Sequence, residues 1–285
     1  MARREAITSP SNSLLKRARK LRQRKHRDAE GVFLVEGIAP AWQALEHADV
    51  EVVLYSPELL TSERALDLVH KAEGRAHVVE VAADAFATLS DREHPVGLAV
   101  IARASTVRLR DLAIEPDSVF VALHEVGNPG NLGTIVRSAD AAGAAGVIAI
   151  GEGTDFWHPN ALKSSMGTMF TTPLVTVEDV RDAITWARDN GLTVITTTAH
   201  TDIEHWSTTY SKPALVLFGS EGHGLSEDLL DEGDVAVRIP MQGTATSLNL
   251  AVSVGVLLYE ITRPHAGTSR RRGSPSLRTS DRRGR

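Results

Sequence analysis

A chain of 285 residues with ordinary proportions of apolar and charged side chains can bury a large core and fits one or two soluble globular domains. It contains no cysteine, which excludes disulfides, thiolate zinc sites, iron–sulfur clusters and mechanisms that need a cysteine nucleophile. No run approaches the roughly 18 apolar residues of a membrane span, and the first residues lack the apolar core of a secretory signal peptide, so a cytoplasmic location is expected.

The net charge of −5 hides a strong asymmetry along the chain. Residues 1–27 hold ten Lys and Arg side chains against one Glu, and residues 263–285 hold eight Arg against one Asp. An acidic body with two basic ends favours a polyanionic partner that contacts those ends, although basic tails are also common as solvated segments. Residues 264–285 are rich in Ser, Gly, Pro and Arg and are predicted to form a disordered basic tail.

The first basic run has the spacing of a helix. Leu14, Leu15, Ala18 and Leu21 can face a core while the charged side chains cover the rest of the surface. A helix of this kind, anchored on one side and basic on the other, is suited to lie along phosphates.

Residues 31–103 then alternate between strand and helix. The pattern predicts strand, helix and strand over 31–60, a helix over 63–73, a strand over 76–81, a helix over 82–89 and a strand over 96–102. This alternation predicts a small α/β domain. Residues 104–117 are polar and irregular and are interpreted as a linker.

A second alternation fills residues 118–263. Predicted strands are SVFVAL, GVIAI, PLVTV, LTVITTT, ALVLFG and VAVRIP, and predicted helices cover 132–142, 160–170 and 178–190 before a closing helix. Alternation of this type predicts a mostly parallel α/β domain.

The closing segment, 238–261, joins a Gly/Thr-rich turn to one helix. The predicted apolar stripe of this helix comprises Leu248, Ala251, Val252, Gly255, Val256 and Tyr259. Ser247 stands at the predicted N-cap, and Asn249 lies in the predicted first turn, where helix propensity does not favour it. A polar cluster here indicates groups held for a ligand, and a capped core helix is the alternative.

Two further loops carry glycines at predicted strand ends. In the loop 124–146 the glycines are spaced three apart, so the loop is neither a dinucleotide-binding GxGxxG nor a Walker loop. Asn131 and Arg137 lie off the predicted buried stripe of the following helix and can reach the strand ends; for Arg137 a surface salt bridge is the alternative. In the loop 215–230, Glu221 is the only acid in a Gly-rich turn and either holds a polar group or caps the next helix.

Together the three loops resemble the three motifs of the SpoU family of RNA ribose 2′-O-methyltransferases, which belongs to the SPOUT class of trefoil-knot proteins. The similar segments are NPGNLGTIVRSADAAG, LFGSEGHGLS and IPMQGTATSLNLAVSVGVLLYE. The segment from ITSPSNSLLKRARKLRQRK to GVFLVEG resembles the start of the family's RNA-substrate-binding domain. The resemblance implies an α/β RNA-binding domain over 1–103, a linker over 104–117 and a mostly parallel α/β knotted methyltransferase domain over 118–263.

The resemblance also implies ligands, roles and partners. S-adenosylmethionine (AdoMet) would be held in bent form, largely by backbone groups, at Gly219, Ile239, Met241 and Leu248. The catalytic set would be Asn131, Arg137, Glu221, Ser247 and Asn249, with Ser247 and Asn249 positioning Arg137 and the target ribose. RNA contacts would come from Lys16, Arg17, Arg19, Lys20, Arg22, Arg24 and Lys25. Family members work as homodimers, and no metal is expected.

Several other activities are disfavoured. A class I methyltransferase needs a Gly-rich loop after its first strand, methylation of pyrimidine C5 needs cysteine, and an esterase needs a GxSxG elbow; each is missing. Among RNA substrates, 23S ribosomal RNA is favoured over tRNA, and methylation for antibiotic resistance remains open. A non-catalytic RNA-binding or ribosome-assembly protein is the alternative from another class.

Overall fold

The computed structural model describes residues 6–91 and 93–264. Arg3, Arg4 and the predicted tail from residue 265 onward lie outside this part of the chain. The first part of the fold contains α1 (Ser13–Lys20), α2 (Arg24–Glu30), β1 (Val32–Glu36), α3 (Ile38–His47), β2 (Val50–Tyr55), α4 (Glu63–Ala72), β3 (His77–Glu80), α5 (Ala83–Ala87) and β4 (Leu98–Arg103).

These strands form one mixed sheet in the order β1-β4-β2-β3. Strand β4 runs antiparallel to both β1 and β2, and β3 runs parallel to β2. Every strand and helix predicted between residues 31 and 103 is present, because the alternation of short apolar runs with amphipathic stretches is a local signal.

The basic run forms two short helices rather than the single predicted helix. Leu15, Ala18 and Leu21 are fully buried, as the spacing predicts. The break follows Leu21, and the freed carbonyl oxygens of Leu21 and Arg22 accept hydrogen bonds from the Arg27 guanidinium at 2.9 and 2.7 Å. Arg27 is only 2 % exposed, so the break allows a basic side chain to turn inward.

The second part contains β5 (Val119–His124), α6 (Pro129–Ala142), β6 (Gly146–Ile150), α7 (Pro159–Ser165), β7 (Leu174–Val177), α8 (Val180–Asp189), β8 (Thr193–Thr197), β9 (Ala214–Phe218), α9 (Glu227–Asp231), β10 (Val235–Val237) and α10 (Leu250–Ile261). Its sheet has the order β10-β8-β9-β5-β6-β7, and every neighbouring pair is parallel. The prediction of a mostly parallel α/β domain is confirmed.

One predicted helix, over 160–170, is interrupted. Helix α7 ends at Ser165, Met166 and Gly167 take left-handed backbone conformations, and a short 3-10 helix follows over Thr168–Phe170. A Cβ at Gly167 would lie 2.4 Å from Cγ of Gln43 on α3. The interruption therefore lets the two parts of the chain pack closely at this point.

The two parts share a tightly packed joint. Arg27 of α2 pairs with Asp155 at 2.5 Å, and the rings of Phe33 and Trp157 stack with centroids 4.6 Å apart. The connecting segment 104–117 is packed as well, since Leu112 is buried against the second sheet. The orientation of the first part relative to the second is thus fixed by specific contacts.

Candidate active site

The strand order places a switch point between β5 and β9. The chain builds β6 and β7 on one side of β5 and places β9, β8 and β10 on the other side. In open parallel sheets, ligands bind outside the carboxyl ends of the strands at such a point. The loops after β5 and β9 carry the first two glycine-bearing segments, so these two segments lie at the switch point.

Helix α6 begins at the switch point with a strong cap. The Oδ1 atom of Asn128 accepts hydrogen bonds from the backbone N–H groups of Gly130 (2.8 Å) and Asn131 (3.1 Å), and Pro129 occupies the first helical position. Asn128 is not among the predicted site residues, although an Asn followed by Pro is a typical helix start. The cap fixes the backbone that carries Asn131.

A chain of side-chain hydrogen bonds joins the three loops. Asn131 Nδ2 donates to Glu221 Oε1 at 2.9 Å, and Asn249 Nδ2 donates to Asn131 Oδ1 at 3.0 Å. The backbone N–H of Gly127 donates to Glu221 Oε2 at 3.3 Å. Because an ionised carboxylate can only accept, Glu221 sets the orientation of the Asn131 amide, and Asn131 in turn sets that of Asn249.

Glu221 is held in its charged form by this chain. Partial burial raises the pKa of its carboxyl group, but hydrogen bonds from the Asn131 side chain and from backbone N–H groups outweigh burial and lower the pKa below its ordinary value. A negative charge therefore stays at the junction of the loops at neutral pH.

The turn after β9 depends on glycine. A Cβ built on Gly219 would lie 2.0 Å from the backbone carbon of Gly224, so this crossing of the chain admits no side chain. The N–H of Gly224 donates to the carbonyl of Ser220 at 3.0 Å and closes the turn. The tight turn directs Glu221 toward the loop after β5.

The start of α10 differs from the sequence-based prediction. Asn249, not Ser247, is the N-cap: its Oδ1 accepts from the N–H of Ala251 at 2.9 Å. Ser247 is exposed and makes no hydrogen bond within residues 6–91 and 93–264. Asn249 thus serves two purposes, since its Oδ1 caps α10 while its Nδ2 binds Asn131.

Arg137 stands apart from this hydrogen-bonded set. Its side chain is exposed on α6 and forms neither an ion pair nor a hydrogen bond with any described residue, so the alternative of a surface salt bridge does not apply there. The predicted positioning of Arg137 by Ser247 and Asn249 is not found, since Asn249 binds Asn131. Within the part of the chain that the structure describes, Arg137 is therefore an unpaired cation on the helix that carries Asn131.

The predicted AdoMet residues lie after β9 and β10, at the same edge of the sheet. Ile239 and Met241 are half-buried, and Leu248 is 38 % exposed. Within the described part of the chain, the backbone groups of residues 239–248 make no hydrogen bond. Backbone donors and acceptors that are unpaired among the described residues, at the same edge of the sheet as Gly219, fit a ligand held by backbone groups. No cluster of three His, Asp or Glu side chains suited to a metal occurs among the described residues.

The buried face of α10 is not the predicted one. Its buried residues are Ala251, Val254, Leu257, Leu258 and Ile261. Of the predicted stripe, Leu248, Val252 and Tyr259 are instead exposed, the last two by 50 % and 60 %. The helix is apolar on nearly all sides, so the sequence pattern could not determine which face enters the core.

The basic residues assigned to RNA divide into two classes. The arginine side chains are engaged by the protein: Arg17 by Glu30 and Glu51, Arg19 by Thr88 and Pro10, Arg22 by Asp91 and Leu89, and Arg24 by Gly153 and Asp28. The side chains of Lys16, Lys20 and Lys25 are exposed and have no partner among the residues that the structure describes. Of the basic residues assigned to RNA, the three lysines are therefore the ones without a partner among the described residues.

Comparison with known proteins adds independent evidence. Residues 118–259 match the family described as SpoU rRNA Methylase, and residues 12–100 match the MRM3-like substrate binding domain. The chain is 32 % identical, over 85 % of its length and 86 % of the relative's, to the 23S rRNA (uridine(2479)-2′-O)-methyltransferase of Streptomyces viridochromogenes. It is 28 % identical, over 90 % of its length and 98 % of the relative's, to the 23S rRNA (guanosine(2553)-2′-O)-methyltransferase RlmP of Bacillus subtilis.

The fold agrees with these sequence relatives. The structure resembles that of an AdoMet-bound rRNA methyltransferase from Sinorhizobium meliloti with a TM-score of 0.82 and 34 % identity, over 91 % of this chain and 97 % of the other. The similarity covers both sheets and the joint between them. The chain therefore belongs to the SpoU rRNA methylase family of RNA methyltransferases.

Proposed function

We propose that the chain transfers the methyl group of AdoMet to a ribose 2′-hydroxyl of 23S ribosomal RNA. The observation that carries this proposal is the hydrogen-bonded set of Glu221, Asn131 and Asn249, which joins three loops at the switch point. Arg137, on the helix that carries Asn131, has no partner among the described residues. The relatives named above support the choice of 23S RNA, and that substrate implies a cytoplasmic location.

The residues present suit the chemistry of methyl transfer to a hydroxyl group. Bound AdoMet supplies an electrophilic methyl group. A guanidinium stays charged in proteins and does not take up a proton, so Arg137 acts by stabilising the developing alkoxide and the neighbouring phosphate, and the proton of the 2′-hydroxyl passes to water. Glu221, Asn131 and Asn249 hold the loops in a fixed arrangement, so little reorganisation is needed when the ribose arrives. Ser247, exposed at the same edge, is available to the ribose or to Arg137 once RNA is bound.

RNA docks on the first part of the chain through exposed lysines. Lys16, Lys20 and Lys25, which have no partner among the described residues, offer positive charges to phosphates, while the neighbouring arginines hold the two helices to the protein. Arg24 and Arg27 anchor α2 to the loop after β6, at the catalytic edge of the sheet. Phosphates bound there would be held at a fixed distance from Arg137.

We further propose a homodimer and a knotted C-terminal segment. A helix that is apolar on nearly all sides is ordinarily covered all round, and the exposed Val252 and Tyr259 fit a second copy of the chain. The chain leaves β10 at one edge of the sheet and returns to pack α10 against α6, next to the central strand. A knot would require this return path to pass through the loop after β9.

Mapping of ribose methylation tests the proposed function. Ribosomal RNA from cells with and without the gene is compared, and the purified protein is then incubated with unmodified 23S RNA and AdoMet. We expect one 2′-O-methylated nucleotide that depends on the gene and is restored in vitro. AdoMet uptake by calorimetry with no methylated nucleotide in 23S RNA would refute this substrate, and no uptake would favour a non-catalytic RNA-binding protein.

A further inference from the structure

A cavity of about 220 Å³ lies between the two parts of the chain. Its floor is formed by the carboxyl ends of three neighbouring strands, at Leu123 of β5, Ile150 of β6 and Thr176 of β7. Arg24 and Asp28 of α2 line the opposite side. Both parts of the chain therefore build this interdomain cavity, which exists only because the joint holds them together.

One wall of the interdomain cavity is the reverse side of residues 126–132, which lead from β5 into α6; these residues are called the catalytic loop below. Val126 and Leu132 line the cavity. Val126 directly precedes Gly127, and Leu132 directly follows Asn131; both Gly127 and Asn131 donate hydrogen bonds to Glu221. The cavity and the candidate active site are thus separated by a single loop.

The lining has the chemistry of a site for a flat heterocycle. The lining includes apolar side chains such as Leu132 and Trp157, the half-buried Thr154, and the exposed Thr106 and Thr176. Within residues 6–91 and 93–264 these three hydroxyls make no hydrogen bond. A hydroxyl can donate or accept, so the three can serve the mixed donor and acceptor edge of a nucleobase.

Size and charge narrow the choice of ligand. Sites for drug-sized molecules have volumes of about 300 to 1,000 Å³, so a smaller cavity suits a single ring system rather than a whole cofactor. Of the charged residues that line the cavity, Arg24 pairs with Asp28 at 3.4 Å and Arg27 pairs with Asp155 at 2.5 Å, so the charges are balanced. A lining without net charge fits an uncharged base whose own backbone phosphates remain outside.

We propose that the interdomain cavity binds one unpaired nucleobase of the substrate RNA, from a nucleotide next to the one that is methylated. The proposal rests on the proposed function, since it takes RNA to be the substrate. Bases of single-stranded RNA are readily splayed out and held by stacking and by hydrogen bonds to their edges. A base inserted here would fix the strand so that the neighbouring ribose lies on the other side of the catalytic loop.

A double-mutant cycle between protein and RNA tests the proposal. The cavity is filled from two walls by T176F and, separately, by T106F, and exposed Thr61 provides the matched control T61F. Each protein is titrated with a short RNA that spans the nucleotide methylated by the wild type, and with versions in which one nucleotide at a time is abasic. If mapping yields no methylated nucleotide, the proposed function fails, and 23S fragments retained by the protein on a filter supply the RNA instead.

We expect one abasic position beside the target to weaken wild-type binding about tenfold, as the loss of one stacked base does. The filled variants should bind intact RNA about as weakly as the wild type binds that abasic RNA, with no further loss at the same position. AdoMet affinity and circular dichroism check that the variants are folded. T61F should match the wild type in every titration.

Two outcomes would overturn the proposal. One is that the filled variants bind intact RNA as tightly as the wild type, or lose affinity equally for intact and abasic RNA. The other is that free nucleosides bind the wild type but not T176F while no abasic position matters, which would assign the cavity to a free ligand. Either result would refute the base-binding proposal without contradicting the proposed methyltransferase function.

Discussion

At the scale of single residues, the site depends on which groups can donate and which can only accept. Glu221 accepts from Asn131 and from the Gly127 N–H, and this fixes the direction of every later hydrogen bond as far as the N-cap of α10. Arg137 has no partner among the described residues. Because it lacks a partner in the described part of the chain, the guanidinium of Arg137 remains available to the substrate.

Replacement of Arg137 by alanine should lower methyl transfer by about 100-fold or more, since one electrostatic group at a developing charge is worth that much. AdoMet affinity should change little, because Arg137 is not among the predicted cofactor residues. Transfer of labelled methyl groups to 23S RNA and calorimetry with AdoMet measure the two effects. Arg181→Ala removes an exposed arginine from α8 and serves as the control. Wild-type turnover in Arg137→Ala would remove Arg137 from the mechanism.

Glu221→Gln should destabilise the protein by about 1 kcal/mol at neutral pH, because charged hydrogen-bond acceptors are stronger than neutral ones. The pKa of Glu221 is lower in the folded chain than its ordinary value of 4.5. The stabilisation is therefore complete above that value and is lost as the pH falls through the folded pKa. Urea denaturation of both proteins at about pH 7 and about pH 3 should give a difference that shrinks on acidification. A constant difference would contradict the assignment.

At the scale of elements, the turn after β9 and the two basic helices show how local segments are fixed by distant ones. The turn is closed by the approach of Gly224 to Gly219, and the helices are held by arginines that bind carboxylates and carbonyl groups of other segments. In both cases the role of a glycine or an arginine in the structure is determined by residues from another segment of the chain.

Gly219→Ala should destabilise the second part by about 1–3 kcal/mol, since the added methyl group overlaps the backbone of Gly224. It should also weaken AdoMet binding, because the turn must move to admit it. Gly222→Ala, in the same turn, meets nothing within 4 Å and should leave both properties unchanged. Thermal melts with and without AdoMet compare the pair; equal behaviour of the two variants would show that the crossing is not tight.

Joint replacement of Lys16, Lys20 and Lys25 by alanine should reduce the salt dependence of RNA binding. Loss of three phosphate contacts lowers the slope of log affinity against log salt by about two to three. Replacement is preferable to removal of residues 1–27, because removal would uncover the core around Leu15 and Leu21. A control that removes three charges from the exposed Arg64, Lys71 and Arg75 should keep the wild-type slope. An unchanged slope in the lysine variant would exclude these helices as the docking surface.

At the scale of the whole molecule, the joint fixes the two parts of the chain relative to each other, and the exposed face of α10 is where a second copy of the chain could pack. The ion pair between buried Arg27 and half-buried Asp155 fixes the first part over the carboxyl edge of the second sheet. Val252 and Tyr259 leave an apolar surface on the helix that carries Asn249 at its start. A second copy packed there would lie close to the candidate active site.

We expect the wild type to sediment as a dimer and the double variant Val252→Asp/Tyr259→Asp to sediment as a monomer, because two carboxylates cannot be buried unpaired at an interface. Val107→Asp changes a comparably exposed apolar residue of the connecting segment and should remain dimeric. Sedimentation velocity over a range of concentrations makes the comparison. A monomeric wild type would contradict the proposal.

The sequence by itself determined most of the element types and the family. Alternating apolar runs fixed the strands and helices of both parts, and the three glycine-bearing loops carried enough residues to identify the family, because these signals lie within about 25 neighbouring residues. Through the family resemblance it also implied a catalytic set of Asn131, Arg137, Glu221, Ser247 and Asn249.

Only the tertiary structure decided how these residues are used. The bond from Asn249 to Asn131, the buried face of α10 and the interdomain cavity depend on partners far apart in the chain. Asn249 and Asn131 are 118 positions apart, and Arg27 and Asp155 are 128 positions apart. Local patterns do not record such contacts. They arise when a folded core brings two segments together and each side chain takes the partner that leaves the fewest polar groups unpaired.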